Sequence, residues 1–274
     1  MGGSLGLAVK AKRLAGEIVG ADQDAGALVR AVARKAIDRS MAPAAVVRDA
    51  DLVVLATPVG SFDAVVKACA GSFAPGAIIT DVGSVKGMLI DRIEARLPSG
   101  VTYLSAHPLA GREQSGVEAA SATLFEGCRV VLTPGARSSP EAVDRLTRLW
   151  NGLGATVTTM APDEHDRYLA LVSHLPHLVA YALVTCALEL AGRSPGLLEL
   201  TAGGFRDFTR IAASSPEMWR DICLENRRHI LDAMDQYRAV IDRFRHMVAS
   251  GDGPALARAF EQARRVKRQL RAPS

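Results

Sequence analysis

Residues 77–111 read AIITDVGSVKGMLIDRIEARLPSGVTYLSAHPLAG, and the alternation inside this stretch decides the fold. An apolar run, Ala77 to Ile79, closes in Asp81-Val82-Gly83-Ser84, and a helical pattern follows. A second run, Val101 to Ala106, closes in His107-Pro108-Leu109-Ala110-Gly111. Two short apolar runs separated by a helix predict neighbouring buried strands of a parallel sheet. In open α/β sheets ligands occupy the crevice beyond the carboxyl ends of the strands. Ser84 and His107 would both project there, which makes a hydroxyl and an imidazole a candidate reaction centre.

Working outward, the alternation continues on both sides. Gly16 to Asp22 reads as a short buried strand, Ala25 to Ala36 as a helix, Pro43 to Arg48 as a short helix and Asp51 to Ala56 as a fully buried strand. Residues 61–70 are helical. Cys128 to Leu132 reads as a strand, Pro140 to Leu153 as a helix and Ala155 to Thr159 as a last strand. Strands alternating with helices predict a Rossmann-type, doubly wound, mainly parallel sheet over residues 1–160. Beyond Met160 only helix-length segments follow, so residues 161–274 are expected to form an all-helical domain. Its clearest segment, about Leu224 to Val248, carries Ile230, Met234, Tyr237, Ile241, Phe244 and Val248 as an apolar seam. Such a seam serves contact between long helices, and a dimer interface is expected there.

The amino terminus opens on Met1-Gly2-Gly3-Ser4 with no strand before it. A dinucleotide fingerprint, G-x-G-x-x-G, needs a preceding strand and brings backbone close to a pyrophosphate. Gly2 would be the last glycine of that motif. Asp22 then lies at the distance of the acid that meets the adenosine ribose and favours NAD over NADP. The expectation is that the first strand and the other glycines lie upstream, Met1 being internal, and that without them two neighbouring strands keep unpaired edges.

Composition excludes several classes. With 49% hydrophobic and 23% charged residues the 274-residue chain is globular. A net charge of +4 gives no reason to invoke nucleic acid. The basic excess is local, where Arg258, Arg264, Arg265, Lys267, Arg268 and Arg271 face only Glu261, and it reads as a solvated helix face or a partner contact. Cys69, Cys128, Cys186 and Cys223 form no C-x-x-C pair, which suits reduced thiols in a cytoplasmic protein. No apolar run approaches a membrane span on this reading, and no secretory signal is present.

Further polar residues stand out in the second half. Asp163-Glu164-His165-Asp166 follows Pro162, and acids in a first helical turn complement the helix dipole, so no metal is assigned there. In Ser173-His174-Leu175-Pro176-His177 the two histidines share a helix face, and the proline is expected to kink that helix. Arg206 and Arg210, one turn apart in GGFRDFTR, have the fork geometry that suits a carboxylate. Each has a plainer reading: Ser84 as the cap of a helix from Val85, His107 as a buried backbone-bonded histidine, the arginines as surface ion pairs.

Taken together, GGSLG, ADLVVLATPV, ITDVGSVKG, SAHPLAGREQSG, LVSHLPH, GGFRDFTRIA and SPEMWRDI run in order from Met1 to about Phe244. In this the chain resembles the prephenate/arogenate (cyclohexadienyl) dehydrogenases of tyrosine biosynthesis. The resemblance implies a cytoplasmic enzyme that oxidatively decarboxylates prephenate and/or arogenate with NAD, NADP being the lesser choice, and works as a homodimer through its helical domain. It implies that His107 accepts the ring-hydroxyl proton, with Ser84 orienting that hydroxyl beside the nicotinamide. Arg210 would clamp the ring carboxylate and Arg206 stand at the pocket mouth. Ser173, His174 and His177 would line the side-chain end, and Trp219 would lie near the dimer contact. Gly2, Asp22, Thr57, Pro58 and Ser84 would touch NAD. The end at Ser274 carries the expectation that any tyrosine feedback acts at the active site. A histidine near its ordinary pKa is the expected base. Two other readings stay open: a β-hydroxyacid or imine dehydrogenase of the same architecture, and a cofactor-free binding or regulatory module. The first needs a catalytic lysine, and residues 162–270 hold only Lys267.

Overall fold

A computed structural model describes residues 1–111, 116–194 and 196–270. Residues 112–115 of the SAHPLAGREQSG motif and Arg271 of the basic cluster lie outside the described residues.

Five strands form the main sheet in sequence order: β3 (Leu52–Leu55), β4 (Ile78–Asp81), β5 (Thr102–Pro108), β6 (Arg129–Pro134) and β7 (Thr156–Thr159). All neighbours are parallel except β5 and β6, which run antiparallel with His107 opposite Val131. β1 (Val19–Gly20) and β2 (Arg39–Ser40) pair as a separate two-stranded sheet. Among the described residues β1 pairs only with β2, and β3 lies at the edge of the main sheet beside β4. That edge position also corrects the reading of β3 as fully buried: only Leu55 is, while Leu52, Val53 and Val54 are half-buried. β1 and β2 are each two residues long, and the sequence pattern missed β2 because Arg39 and Ser40 are both exposed.

Side chains alternate across the sheet, as the period of a strand requires. Leu104 and Ala106 of β5 join Val130, Leu132, Leu146 and Trp150 on one face, where α1 (Gly2–Ala11) and α6 (Pro140–Gly152) pack. Tyr103 joins Ile79, Phe62, Val66, Leu89 and Ile93 on the other, under α4 (Phe62–Cys69) and α5 (Gly87–Glu94). Helices on both faces of one largely parallel sheet make this a Rossmann-type unit.

The second half is helical. α7 (Pro162–Leu169) passes through a π turn, Ala170–His174, into α8 (Leu175–Ala191). The proline therefore does not break the helix. Pro176 stands at the start of α8, and the wide π turn just before it takes up the backbone mismatch. The joined helix, Pro162–Ala191, is long and apolar enough by length and composition to cross a membrane, against the sequence expectation, and 28% of its most apolar window is buried. α9 (Gly203–Thr209), a 3-10 turn (Arg210–Ala213), α10 (Pro216–Glu225), α11 (Arg227–Ala249) and α12 (Gly253–Gln269) follow. The expected helix from Leu224 is thus two helices, divided at Asn226.

Candidate active site

Strand lengths create the site. β4 pairs with β5 only at Ile78–Thr102 and Ile79–Tyr103, and β5 runs on for five more residues. With β4 ended, the Ala106 carbonyl has lost its neighbour on that side. Lys86 fills the place: its Nζ donates to Ala106 O at 2.7 Å and to Asp81 Oδ1 at 2.6 Å. The Lys86 and Asp81 side chains are both fully buried. Asp81 also accepts from Gly83 N at 2.7 Å, from Tyr103 Oη at 2.7 Å and from Ser105 Oγ. A buried carboxylate is tolerated in an apolar setting when its oxygens meet that many donors. Burial lowers the Lys86 pKa and Asp81 opposes the shift. Burial, then the Asp81 charge, pushes the Tyr103 pKa well up.

The loop from β4 to α5 is held from the other half of the chain. Ser84 does not cap the helix, which begins only at Gly87. Asp166 of α7 does that instead, accepting from Lys86 N at 2.9 Å and from Gly87 N at 2.8 Å. Orphan amides at a helix start need such an acceptor, and here it comes from 80 residues away. Gly87 must be glycine, because a Cβ there would stand 2.8 Å from Asp166 Oδ2. The Ser84 hydroxyl is half-exposed, on the loop so fixed.

Asp166 Oδ1 also contacts His165 Nδ1 at 2.8 Å, and His165 Nε2 contacts His107 Nδ1 at 2.8 Å. His107 is 8% exposed. Its remaining nitrogen, Nε2, has no hydrogen-bond partner among the described residues. Burial pushes the His107 pKa well below its ordinary value, with the Lys86 charge and His165 adding to the effect. The expectation of a base near its ordinary pKa is corrected: the imidazole is held neutral by its surroundings. His165 is lowered by burial too, with Asp166 opposing.

His174 is sealed, its Nδ1 3.1 Å from Asn226 Nδ2, an amide that also donates to Asp166 O at 2.8 Å. Burial lowers the His174 pKa to about 4, and the Ser84 backbone is close enough to oppose that. His177 is half-buried, donating from Nδ1 to Ser173 O at 2.9 Å and stacking on Trp219 with centroids 3.7 Å apart. Trp219 packs with Val85, Ile222 and Tyr181 across the join between the two halves. Arg206 and Arg210 are exposed, on α9 and the turn after it.

The structure thus brings the Ser84 loop, His107 and His174 to one seam, with Ser173 beside His174 in the π turn and His177 on the first turn of α8, while the arginines stand exposed on α9 and the turn after it. Lys86, Asp81, His165, Asp166 and Asn226 were missed. The signal for His165 and Asp166 is positional: they occupy the face of α7 that Leu169 and Ala170 continue, where apolar residues belong.

A nucleotide would meet the carboxyl end of β3, the same end of the sheet at which β4 and β5 finish. Gly2 opens α1 directly against Ala56, since a Cβ on Gly2 would lie 3.0 Å from that of Ala56. Ala56, Thr57 and Pro58 are exposed beyond β3, as is Asp22 beyond β1. An exposed helix start beside strand ends, with an acid nearby, fits a dinucleotide.

Comparison with known proteins agrees with this geometry. The family model described as prephenate dehydrogenase, nucleotide-binding domain, matches residues 5–159, and the one described as prephenate dehydrogenase, dimerization domain, matches residues 161–262. The prephenate dehydrogenase of Bacillus subtilis is 39% identical over 266 residues, covering 96% of this chain and 72% of that protein. The cyclohexadienyl dehydrogenase of Zymomonas mobilis is 38% identical, covering 82% of this chain and 77% of its own length. The crystal structure of prephenate dehydrogenase from A. aeolicus in complex with hydroxyphenyl propionate and NAD+ superposes with a TM-score of 0.92 at 33% identity, covering 98% of this chain and 94% of that one.

Proposed function

The chain belongs to the prephenate dehydrogenase family, and from that premise we propose that it converts prephenate to 4-hydroxyphenylpyruvate and/or arogenate to tyrosine, by NAD-dependent oxidative decarboxylation in tyrosine biosynthesis. The observation that carries the reading is His107: a buried imidazole kept neutral, at the end of β5, with Nδ1 committed to His165.

The substrate ring carries a hydroxyl and a hydrogen on C4 and a carboxylate on C1. NAD, when bound, accepts the C4 hydrogen as hydride. His107 Nε2 takes the hydroxyl proton as carbonyl character develops at C4. The bond from C1 to the carboxylate then breaks, its electrons aromatise the ring, and the imidazole returns the proton to the phenol oxygen. No base is consumed. Aromatisation drives the loss of CO2, so the protein contributes mainly alignment and exclusion of water.

Ser84 orients the hydroxyl toward His107. Arg210 clamps the ring carboxylate and Arg206 stands at the mouth, since a guanidinium fork matches a carboxylate. Ser173 and His177 line the side-chain end, with His174 supporting that wall from behind. Gly2, Thr57, Pro58 and Ser84 hold the dinucleotide. Asp22 meets the adenosine ribose and disfavours the extra phosphate of NADP. The helical half pairs two copies. A cytoplasmic location belongs to the same proposal, and four free thiols suit it.

The test is NADH formation with prephenate and with arogenate, for the wild type and His107→Asn. Turnover should fall by about 10²-fold or more in the variant. An unchanged kcat would overturn the role of His107.

A further inference from the structure

We propose that Asp166 and His165 are positioning residues that set the tautomer of His107, so that Nε2 carries the lone pair that meets the substrate hydroxyl. The inference rests on His107 as the base and adds why that nitrogen is the basic one.

The argument is one of donors and acceptors. Asp166 lies in a seam where its two oxygens already accept from Lys86 N and Gly87 N. An ionised carboxylate only accepts, so the 2.8 Å contact to His165 Nδ1 puts a proton on that nitrogen. Burial keeps His165 neutral, which leaves its Nε2 bare. A bare nitrogen 2.8 Å from His107 Nδ1 needs a proton from it. His107, also neutral, then holds its proton on Nδ1 and its lone pair on Nε2. As Nε2 gains the substrate proton, Nδ1–H points through His165 toward the negative charge of Asp166.

The steric frame is fixed as well. The two imidazoles meet edge to face, 5.1 Å between centroids and 66° apart, so neither ring can turn over without breaking the Nδ1–Nε2 contact. Asn226 holds the Asp166 carbonyl, and the Asp166 carboxylate caps α5. Capping alone would make Asp166 matter through the Ser84 loop and give His165, which caps nothing, no part in turnover. Tautomer control makes them matter to kcat, because a general base in the wrong tautomer loses up to about 10⁴-fold.

Nitrogen-15 NMR of histidine-labelled wild type at pH 8 reads the tautomer without any substitution. A proton on His107 Nδ1 and a bare Nε2 are expected, and the opposite assignment overturns the inference. Kinetics supply the second arm. His165→Phe removes the acceptor and should lower kcat by about 10²-fold with KM for prephenate within about twofold. His165→Gln restores a carbonyl acceptor and should recover about tenfold of that loss. Wild-type turnover in His165→Phe, alongside an inactive His107→Asn, overturns tautomer control and leaves the base intact. Turnover surviving in His107→Asn removes the base itself. If His165→Phe does not fold, the wild-type NMR assignment decides alone.

Discussion

Before Met160, buried side chains gather in two broad clusters, one around Phe125 and Trp150 and one around Phe62 and Tyr103. Beyond it they shrink to Ala170, Leu175, Ile230 and Ala233, and to a group of Trp219 and Ile222 that borrows Val85 from the first half. The helical half does not lack apolar residues; it leaves them outside. Leu188 is 64% exposed, Leu231 53% and Phe260 58%. One half is closed by its own sheet, and the other leaves an apolar face open, the two being joined by the polar seam and by the Trp219 group.

The harshest way to break that contrast is to charge the open face. Val184 and Leu188 lie one turn apart on α8, 38% and 64% exposed. Full burial of such a side chain is worth about 1.5–3 kcal/mol, and a two-fold interface counts each twice. Val184→Glu with Leu188→Glu should therefore cost the dimer on the order of 6 kcal/mol, about 10⁴-fold in dissociation constant. Sedimentation velocity across a dilution series checks this. A dimer that survives both charges would mean the exposed face is covered by something else.

A smaller effect is expected from the closed half. Removing one partner of a buried ion pair costs about 3–5 kcal/mol, because it strands the other charge. Lys86→Met leaves Asp81 without its cation and Ala106 O without a donor. Its urea midpoint should fall accordingly, and adding Asp81→Leu should recover part of the loss, since an apolar pair no longer holds a stranded charge. If Lys86→Met unfolds at the wild-type midpoint, the buried pair does not hold the carboxyl ends of β4 and β5 together.

The contrast also explains what could be read from the chain. Strand ends were legible because β4 and β5 are apolar runs that stop at Asp81 and Pro108, a local property. Ser84 and His107 stand out for the same reason. Asp166 was read with Asp163 and Glu164 as an acid for the helix dipole, a sound account of Asp163, which is exposed and bridged to Arg228 and His229. For Asp166 it fails. Its partners are Lys86 and Gly87, 80 and 79 residues away, and only the fold brings them together. The lowered pKa of His107 was hidden likewise, since it comes from burial and a lysine whose own burial no local pattern reveals. The length of the α7–α8 helix was hidden by Pro176, because a π turn is a backbone adjustment with no residue signature of its own.

The mildest test concerns the histidines of the seam, which lie where the two halves meet. Burial lowers the pKa of His107, His165 and His174, the last to about 4. Unfolded, each returns to its ordinary value near 6.5. Above that value both states are neutral and pH does not matter. As pH falls below it, the unfolded chain binds protons that the folded chain refuses, so stability is lost with acid, and for His174 the loss levels off near its folded pKa. Between pH 7 and pH 5, His174 alone should account for about 2 kcal/mol. The sign would reverse for a histidine whose partner raised its pKa. Urea unfolding at the two pH values measures the slope, and His174→Gln isolates one contributor. The variant should lose about 2 kcal/mol less than wild type over that interval, while the remaining slope reports His107 and His165. An identical slope in the two proteins would mean that His174 is reached by water in solution and that the seam is looser than the strand side it locks onto.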